Sequence, residues 1–251
     1  MAFDAIIMAG GEVPDDLREY TESRFKGLLR LGGRYMVEYV VDAVGGVAGV
    51  GRRVCIGPPD ELGEALRGKV EKVLPPESSM MLNLKKGVGE LSGAEWILVA
   101  TCDVPLVTAA IIEDFLAACR RREADMYYPV VEKRVVEGKY PGVERTYGRL
   151  RDGVFTGGNL FLVNPKVFTA HWHLIERAMA LRKSPFRLLG MLGFFFIVKF
   201  VFRRLSLADI ERKVEKIMGM RGVPVIVEHP EIGVDVDKES DYLLVRRILE
   251  A

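Results

Sequence analysis

Apolar and polar positions follow one another in blocks along this chain, and the blocks predict its elements. Phe3, Ala5, Ile6, Ile7 and Met8 form a short apolar run that reads as a buried strand and passes straight into Ala9-Gly10-Gly11. Over 35–47 the apolar residues Met36, Val37, Val40, Val41 and Val44 recur at helical spacing around Glu38 and Asp42, and Gly45-Gly46 ends the pattern. Residues 53–56 and 69–74 read as strands stopped by Pro58-Pro59 and Pro75-Pro76, with a short helix between them that Asp60 caps. Ser78 or Ser79 opens a helix to about Glu90. Residues 96–100 are apolar throughout, as a strand covered on both faces of a parallel sheet must be. That strand delivers Thr101-Cys102-Asp103-Val104-Pro105. Thr108 caps a helix over 109–121, and 125–131 is the next strand. This alternation predicts an α/β fold: a Rossmann-like three-layer α/β/α sandwich around a mostly parallel sheet, with ligands at the carboxyl ends of its strands.

After Val131 the rhythm changes. Residues 132–145 are charged, hold Pro141 and Gly142, and read as a short helix and an excursion. Residues 154–163 read as a strand interrupted by Gly157-Gly158. Pro165 begins a helix to about Leu181, and Ser184-Pro185 restarts a very apolar one over 186–202. Ser206 caps a helix over 207–218, with Asp209 and Glu211 in its first turn. A strand over 223–227, an extended Ile232-Gly233-Val234-Asp235-Val236-Asp237 and a terminal helix over 239–249 complete the chain. One domain over 1–251 is expected. Residues 1–131 form one half, 132–222 carry a helical insertion, and 223–251 close the fold.

Composition narrows the partners. The chain has 251 residues, 49% of them hydrophobic, enough to bury a sizeable core. The net charge of +1 gives no support for global attraction to nucleic acid. Cys55, Cys102 and Cys119 are odd in number and lack C-x-x-C spacing, so neither a disulfide framework nor a zinc site is indicated, and a cytoplasmic location is expected. His171 and His173 flank Trp172 on a helix and diverge, which argues against zinc.

The candidate chemistry lies at strand ends. Asp103, followed by a proline, is placed to hold Mg²⁺ through oxygen ligands, or it decorates a turn. Asp235 and Asp237 alternate along an extended segment, so one of them, Asp235 for preference, is expected to face Asp103; Asp237 is the alternative, or a helix cap. Gly10 and Gly11 allow close backbone approach to a ligand, and Lys26 and Arg24 can neutralise phosphate, or belong to a solvated loop. Asn83 can read a base edge or a ribose, or is a plain helix residue. Thr156, Gly157, Gly158 and Asn159 form either an acceptor wall or a β-bulge. The apolar 186–204 stretch, flanked by Arg182, Lys183, Arg187, Arg203 and Arg204, has three readings: a buried helix, a dimer or partner surface, and a peripheral membrane contact. It is too short to span a bilayer.

Together, Ala9-Gly10-Gly11, a basic loop ending at Lys26, Leu28-x-x-Leu-Gly-Gly-Arg, Asp103-Val104-Pro105 and the Gly233–Asp237 run with Asp241 resemble the nucleotidyltransferases of glycosyltransferase-A-like fold, and within them the group similar to molybdenum-cofactor guanylyltransferase. The resemblance implies transfer of a nucleoside monophosphate from an NTP to a phosphorylated small-molecule or cofactor acceptor, with Mg²⁺ and release of pyrophosphate. It implies nucleotide binding by Gly10, Gly11, Lys26 and Asp103, and Ala9, Ser79 and Asn83 are expected beside them. Catalytic roles fall to Lys26, Arg24 and Asp103, acceptor contacts to Thr156–Asn159, and metal binding to Asp103, Asp235 and Asp237. Two departures stand out. The loop after the glycines is long and acidic, with Asp15, Asp16, Glu19 and Glu22, and Ser78–Asn83 replaces the Gly-Pro-x-x-Gly turn near the base, so a guanine preference is not carried over. A non-catalytic nucleotide-binding protein and a nucleotide-sugar glycosyltransferase are the competing readings.

Overall fold

The computed structural model describes residues 2–180 and 194–250. The first half follows the predicted rhythm. β1 (Phe3–Met8) leads through a long loop to the hairpin β2 (Arg30–Leu31) and β3 (Arg34–Tyr35). Then come α1 (Met36–Gly45), β4 (Val50–Ile56), α2 (Pro59–Ala65), β5 (Lys72–Leu74), α3 (Met80–Glu90), β6 (Ile97–Thr101), α4 (Ala109–Cys119) and β7 (Met126–Glu132). The second half contains α5 (Lys133–Lys139), β8 (Gly148–Leu150), β9 (Gly153–Gly157), β10 (Leu160–Val163), α6 (Pro165–Ala170) and α7 (Trp172–Ala180). It continues with α8 (Phe194–Val201), α9 (Leu207–Met218), β11 (Gly222–Val227) and α10 (Glu239–Leu249).

Among the described residues, nine strands form one sheet in the order β5-β4-β1-β6-β10-β7-β9-β8, with β11 added to β7. The expectation of a mostly parallel sheet is corrected. β5, β4, β1 and β6 run parallel, as do β7 and β11, but β10 is antiparallel to both β6 and β7, and β9 is antiparallel to β7 and β8. The reason is the connection. A parallel neighbour needs a crossover of about a dozen residues or more, usually a helix on the sheet face. After β7 the short α5 and the β8–β9 hairpin instead return the chain along β7, and Gly158-Asn159 pass it on into β10.

Alternation within the strands sorts the core into two layers. Ala5 and Ile7 of β1 pack with Val37, Val40 and Val44 of α1 and with Ile112 and Phe115 of α4, while Ile6 and Met8 pack with Val54, Ile56, Val99 and Leu84 of α3. The sheet is thus covered on both faces, as predicted. Gly87 lets α3 sit close: a Cβ there would lie 2.8 Å from Ile6 Cδ1.

Three local expectations change. The helix from Pro165 breaks at His171 into α6 and α7, and Trp172 meets Phe168 edge-on at 5.3 Å. Asp60 lies in the first turn of α2 and Pro58 takes the capping position. Of the apolar 186–202 stretch, 186–193 lie outside the described residues. The end that is described is not buried: Val201 is 59% and Phe202 69% exposed, beside exposed Lys199, Arg203 and Arg204. Among the described residues, no helix is long and apolar enough to cross a membrane.

Candidate functional site

The site grows from two neighbouring parallel strands. β1 pairs with β6 so that Met8 lies opposite Thr101, and the Cys102 N–H donates to the Met8 carbonyl at 3.1 Å. The Ala9-Gly10-Gly11 turn and Asp103 therefore leave the sheet side by side at its carboxyl edge. The third stretch arrives from β11. A single 3₁₀ turn, Pro230–Ile232, redirects the chain across the strand ends, where the Asn159 N–H donates to the Ile232 carbonyl at 2.9 Å and the Val236 N–H to the Asp103 carbonyl at 2.9 Å. Segments more than 90 residues apart thereby share one open cleft of about 920 Å³.

Carboxylates crowd its floor. Asp103, Asp235 and Asp237 each bring an oxygen within 4.8 Å of the others. The expectation that only one of Asp235 and Asp237 faces Asp103 is corrected. The segment is not a regular strand, so the two-residue alternation that would have sent them to opposite sides does not operate.

Each carboxylate has a partner. Lys26 Nζ donates to Asp103 Oδ2 at 2.7 Å and to Asp237 Oδ1 at 2.5 Å, and Thr101 Oγ1 donates to Asp103 Oδ1 at 2.5 Å. Asp235 accepts from Arg145 and, at 3.1 Å, from Asn159 Nδ2. Burial works to lower the Lys26 pKa, but Asp103 and Asp237 outweigh it and hold it well above the usual lysine range. Burial likewise works against the Arg145 charge, and the bond to Asp235 more than offsets it. Burial pushes the Cys102 thiol far up and the Cys55 thiol up to about 12, so neither offers a thiolate at neutral pH.

The loop from Glu12 to Phe25 is pinned at its ends, with Val13 N–H donating to the Arg24 carbonyl and Lys26 N–H to the Gly11 carbonyl, both at 2.9 Å. Leu17 anchors the loop from within while Asp15, Asp16, Glu19 and Glu22 are exposed, and none of these four acids lines the cleft. Arg24 stands exposed at the rim, 3.2 Å from Glu12. Gly10 and Gly11 differ in what they permit. A Cβ on Gly10 would come 2.6 Å from Pro76 Cβ, whereas one on Gly11 would meet nothing within 4 Å. Neither residue has a positive φ, so close packing and open space, rather than a left-handed turn, are what glycine provides here.

On the opposite wall Ser79 caps α3 by accepting from Leu82 N–H, and the buried Asn83 accepts the Glu77 N–H at 2.5 Å, which ties down the loop that borders the cleft. Of the four residues expected on the acceptor side, Asn159 lines the cleft. Thr156 is buried, Gly157 is exposed, and Gly158 is wedged against Ile232 and Pro129. Ala9 is buried behind the glycines. None of the histidines lines the cleft. Sequence reasoning missed Thr101 and Arg145. Thr101 ends the very strand that delivers Asp103, a usable signal. Arg145 sits in the charged excursion with nothing in its neighbourhood to single it out.

An open α/β cleft with a strand-end glycine turn, a buried lysine and converging carboxylates has the charges to meet an anionic ligand together with a divalent cation. The chain belongs to the MobA-like NTP transferase domain family, which it matches over residues 5–194. Members are nucleotidyltransferases, which move a nucleoside monophosphate from an NTP to an acceptor. The chain is similar to a hypothetical transferase from Thermus thermophilus at 34% identity, covering 96% of this chain and 100% of that one with a TM-score of 0.83. It shares its fold with 4-diphosphocytidyl-2C-methyl-D-erythritol synthase from Anaerococcus prevotii (12% identity, 100% and 97% covered, TM-score 0.63). It also shares it with 2-C-methyl-D-erythritol 4-phosphate cytidylyltransferase from Thermus thermophilus (14% identity, 100% of each chain covered, TM-score 0.58). No curated protein matches it.

Proposed function

We propose that this protein is a Mg²⁺-dependent nucleotidyltransferase that transfers a nucleoside monophosphate from an NTP to a phosphorylated small molecule and releases pyrophosphate. The observation that carries this reading is the convergence of Asp103, Asp235 and Asp237 within 4.8 Å, next to a lysine and an open glycine turn. Three carboxylates are hard oxygen donors of the kind Mg²⁺ takes, so the donor set fits, and these residues would hold the ion. Bound there, Mg²⁺ would supply charge neutralisation at the α-phosphate. The chain's own residues bind and orient. Gly11 leaves room for phosphate against the backbone, and Lys26 meets the charge that develops on departing pyrophosphate. Ser79, Asn83 and the 76–79 loop border the space for the nucleoside. Nucleotidyl transfer needs positioning and electrostatics more than covalent help.

A phosphorylated acceptor fits this site because its nucleophile needs no base. A hydroxyl acceptor must lose a proton, and the nearest carboxylates that could take it, Asp103, Asp235 and Asp237, are the ones that would hold the metal. An oxygen of a phosphate monoester is already anionic at neutral pH. It attacks the α-phosphorus, the bond to the β-phosphate bridging oxygen breaks, and pyrophosphate leaves with that electron pair. A name such as 2-C-methyl-D-erythritol 4-phosphate cytidylyltransferase among proteins of this fold agrees with such an acceptor.

The test is a panel of the four NTPs against phosphorylated acceptors with Mg²⁺, read as pyrophosphate. One combination is expected to turn over, and Asp103→Ala is expected to lower its rate at least roughly a hundredfold, the scale on which loss of one transition-state electrostatic contact acts. Full activity in Asp103→Ala would defeat the reading.

A further inference from the structure

We propose that Lys26 is the resident counter-ion of the acidic cluster and sets the order of ligand entry: its ammonium keeps a divalent cation off Asp103 and Asp237 until a triphosphate draws it away. Metal then enters with nucleotide, not before it. The inference rests on the reading above, in which the cluster holds Mg²⁺.

Position comes first. The ammonium is bonded to one oxygen of Asp103 and one of Asp237, at 2.7 and 2.5 Å. An ion bridging the same two oxygens at the roughly 2.0–2.1 Å that Mg²⁺ requires would need the space that Nζ fills. The Lys26 and Asp103 side chains are 8% and 18% exposed, so water does little to screen the exclusion at Asp103, while Asp237 is the open side of the pair.

Charge comes second. Three carboxylates face the two cations Lys26 and Arg145, for a local balance of −1. Adding a divalent ion with Lys26 in place would turn that to +1 and set two cations side by side. If Lys26 leaves as the metal arrives, the carboxylates meet the metal and Arg145 instead, and the balance is zero.

The third point is that the lysine has somewhere to go. Its backbone is fixed, with its N–H on the Gly11 carbonyl at 2.9 Å and the 3₁₀ turn Lys26–Leu28 starting there. Only the flexible four-carbon stem needs to swing. Gly11 is adjacent and leaves open space where a side chain would stand. A triphosphate seated there offers the ammonium anionic oxygens in exchange for the carboxylates it gives up.

Mn²⁺ serves as the probe, with the free ion followed by electron paramagnetic resonance in wild type, Lys26→Met and Lys26→Gln, first without nucleotide and then with a non-hydrolysable NTP analogue. Glutamine keeps hydrogen-bonding groups beside the carboxylates without the charge, so it stands in if the methionine variant does not fold. Without nucleotide, the variants are expected to bind Mn²⁺ at least about tenfold tighter than wild type. Wild type is expected to take up Mn²⁺ well only once the analogue is added. Equal Mn²⁺ affinity in all three proteins would overturn the inference and leave the nucleotidyltransferase reading standing, as would uptake by all three only with the analogue. No uptake by any of them, even with the analogue, would bring down the metal site and the inference together.

Discussion

Gly157 and Gly158 are neighbours with opposite physical roles. A Cβ on Gly158 would fall 2.3 Å from Ile232 Cγ2 and 2.8 Å from Pro129 Cγ, in the packing that brings the Asp235–Asp237 segment over β7. One on Gly157 would meet nothing within 4 Å. Gly158→Ala is therefore expected to destabilise the protein by about 1–3 kcal/mol, the scale of forced overpacking, in urea denaturation. Gly157→Ala is expected to unfold at the wild-type midpoint. Any change it makes in acceptor KM would then report contact with substrate, not damage to the fold. The pair was visible in the sequence as a doubled glycine, but its division of labour was not, because Ile232 lies more than 70 residues away.

Helix ends were the most legible elements. Ser206 accepts from Asp209 N–H and Asp209 reaches back to the Ser206 N–H, a reciprocal cap made within four residues, and Gly219 closes α9 in the left-handed conformation at φ 64°. Ser206→Ala is expected to lower stability by about 1 kcal/mol in chemical denaturation while pyrophosphate release is unchanged, since Ser206 does not line the cleft. Thr108 and Ser79 cap α4 and α3 one way only, each accepting the N–H three residues on, and both were readable as hydroxyl residues ahead of a helical pattern. The break between α6 and α7 at His171 was not readable, because no proline or glycine marks it.

At the scale of the molecule, the cleft is held together by contacts between distant parts of the chain. Lys26 joins the first loop to the end of β6 and to the closing segment, and Arg145 ties the excursion after α5 to Asp235. The N-terminal loop is braced from the other side by α10, where the Tyr20 ring lies 4.3 Å from that of Tyr242 and Tyr20 donates to Glu239. A ligand that bridges these parts stabilises the whole fold, by about 2.7 kcal/mol at a hundred times its Kd. Mg²⁺ with the preferred NTP is accordingly expected to raise the thermal midpoint of unfolding, and a nucleotide sugar with Mg²⁺ to raise it less. A larger shift with the nucleotide sugar would favour a glycosyltransferase instead.

The sequence by itself determined what is local. Apolar runs bounded by proline and glycine became the strands of the first half, the hydroxyls of Ser79, Thr108 and Ser206 became helix caps, and the residues at strand ends were already candidates for chemistry. Those signals act over a few residues, where backbone geometry and side-chain period decide the outcome. Only the tertiary structure decided what depends on the path between distant segments. It set the antiparallel entry of β10, the meeting of both Asp235 and Asp237 with Asp103, and the pairing of Arg145 with Asp235. The physical reason is that strand direction follows from how the chain returns to the sheet, and a charge finds its partner by proximity in space, which spacing along the chain does not encode.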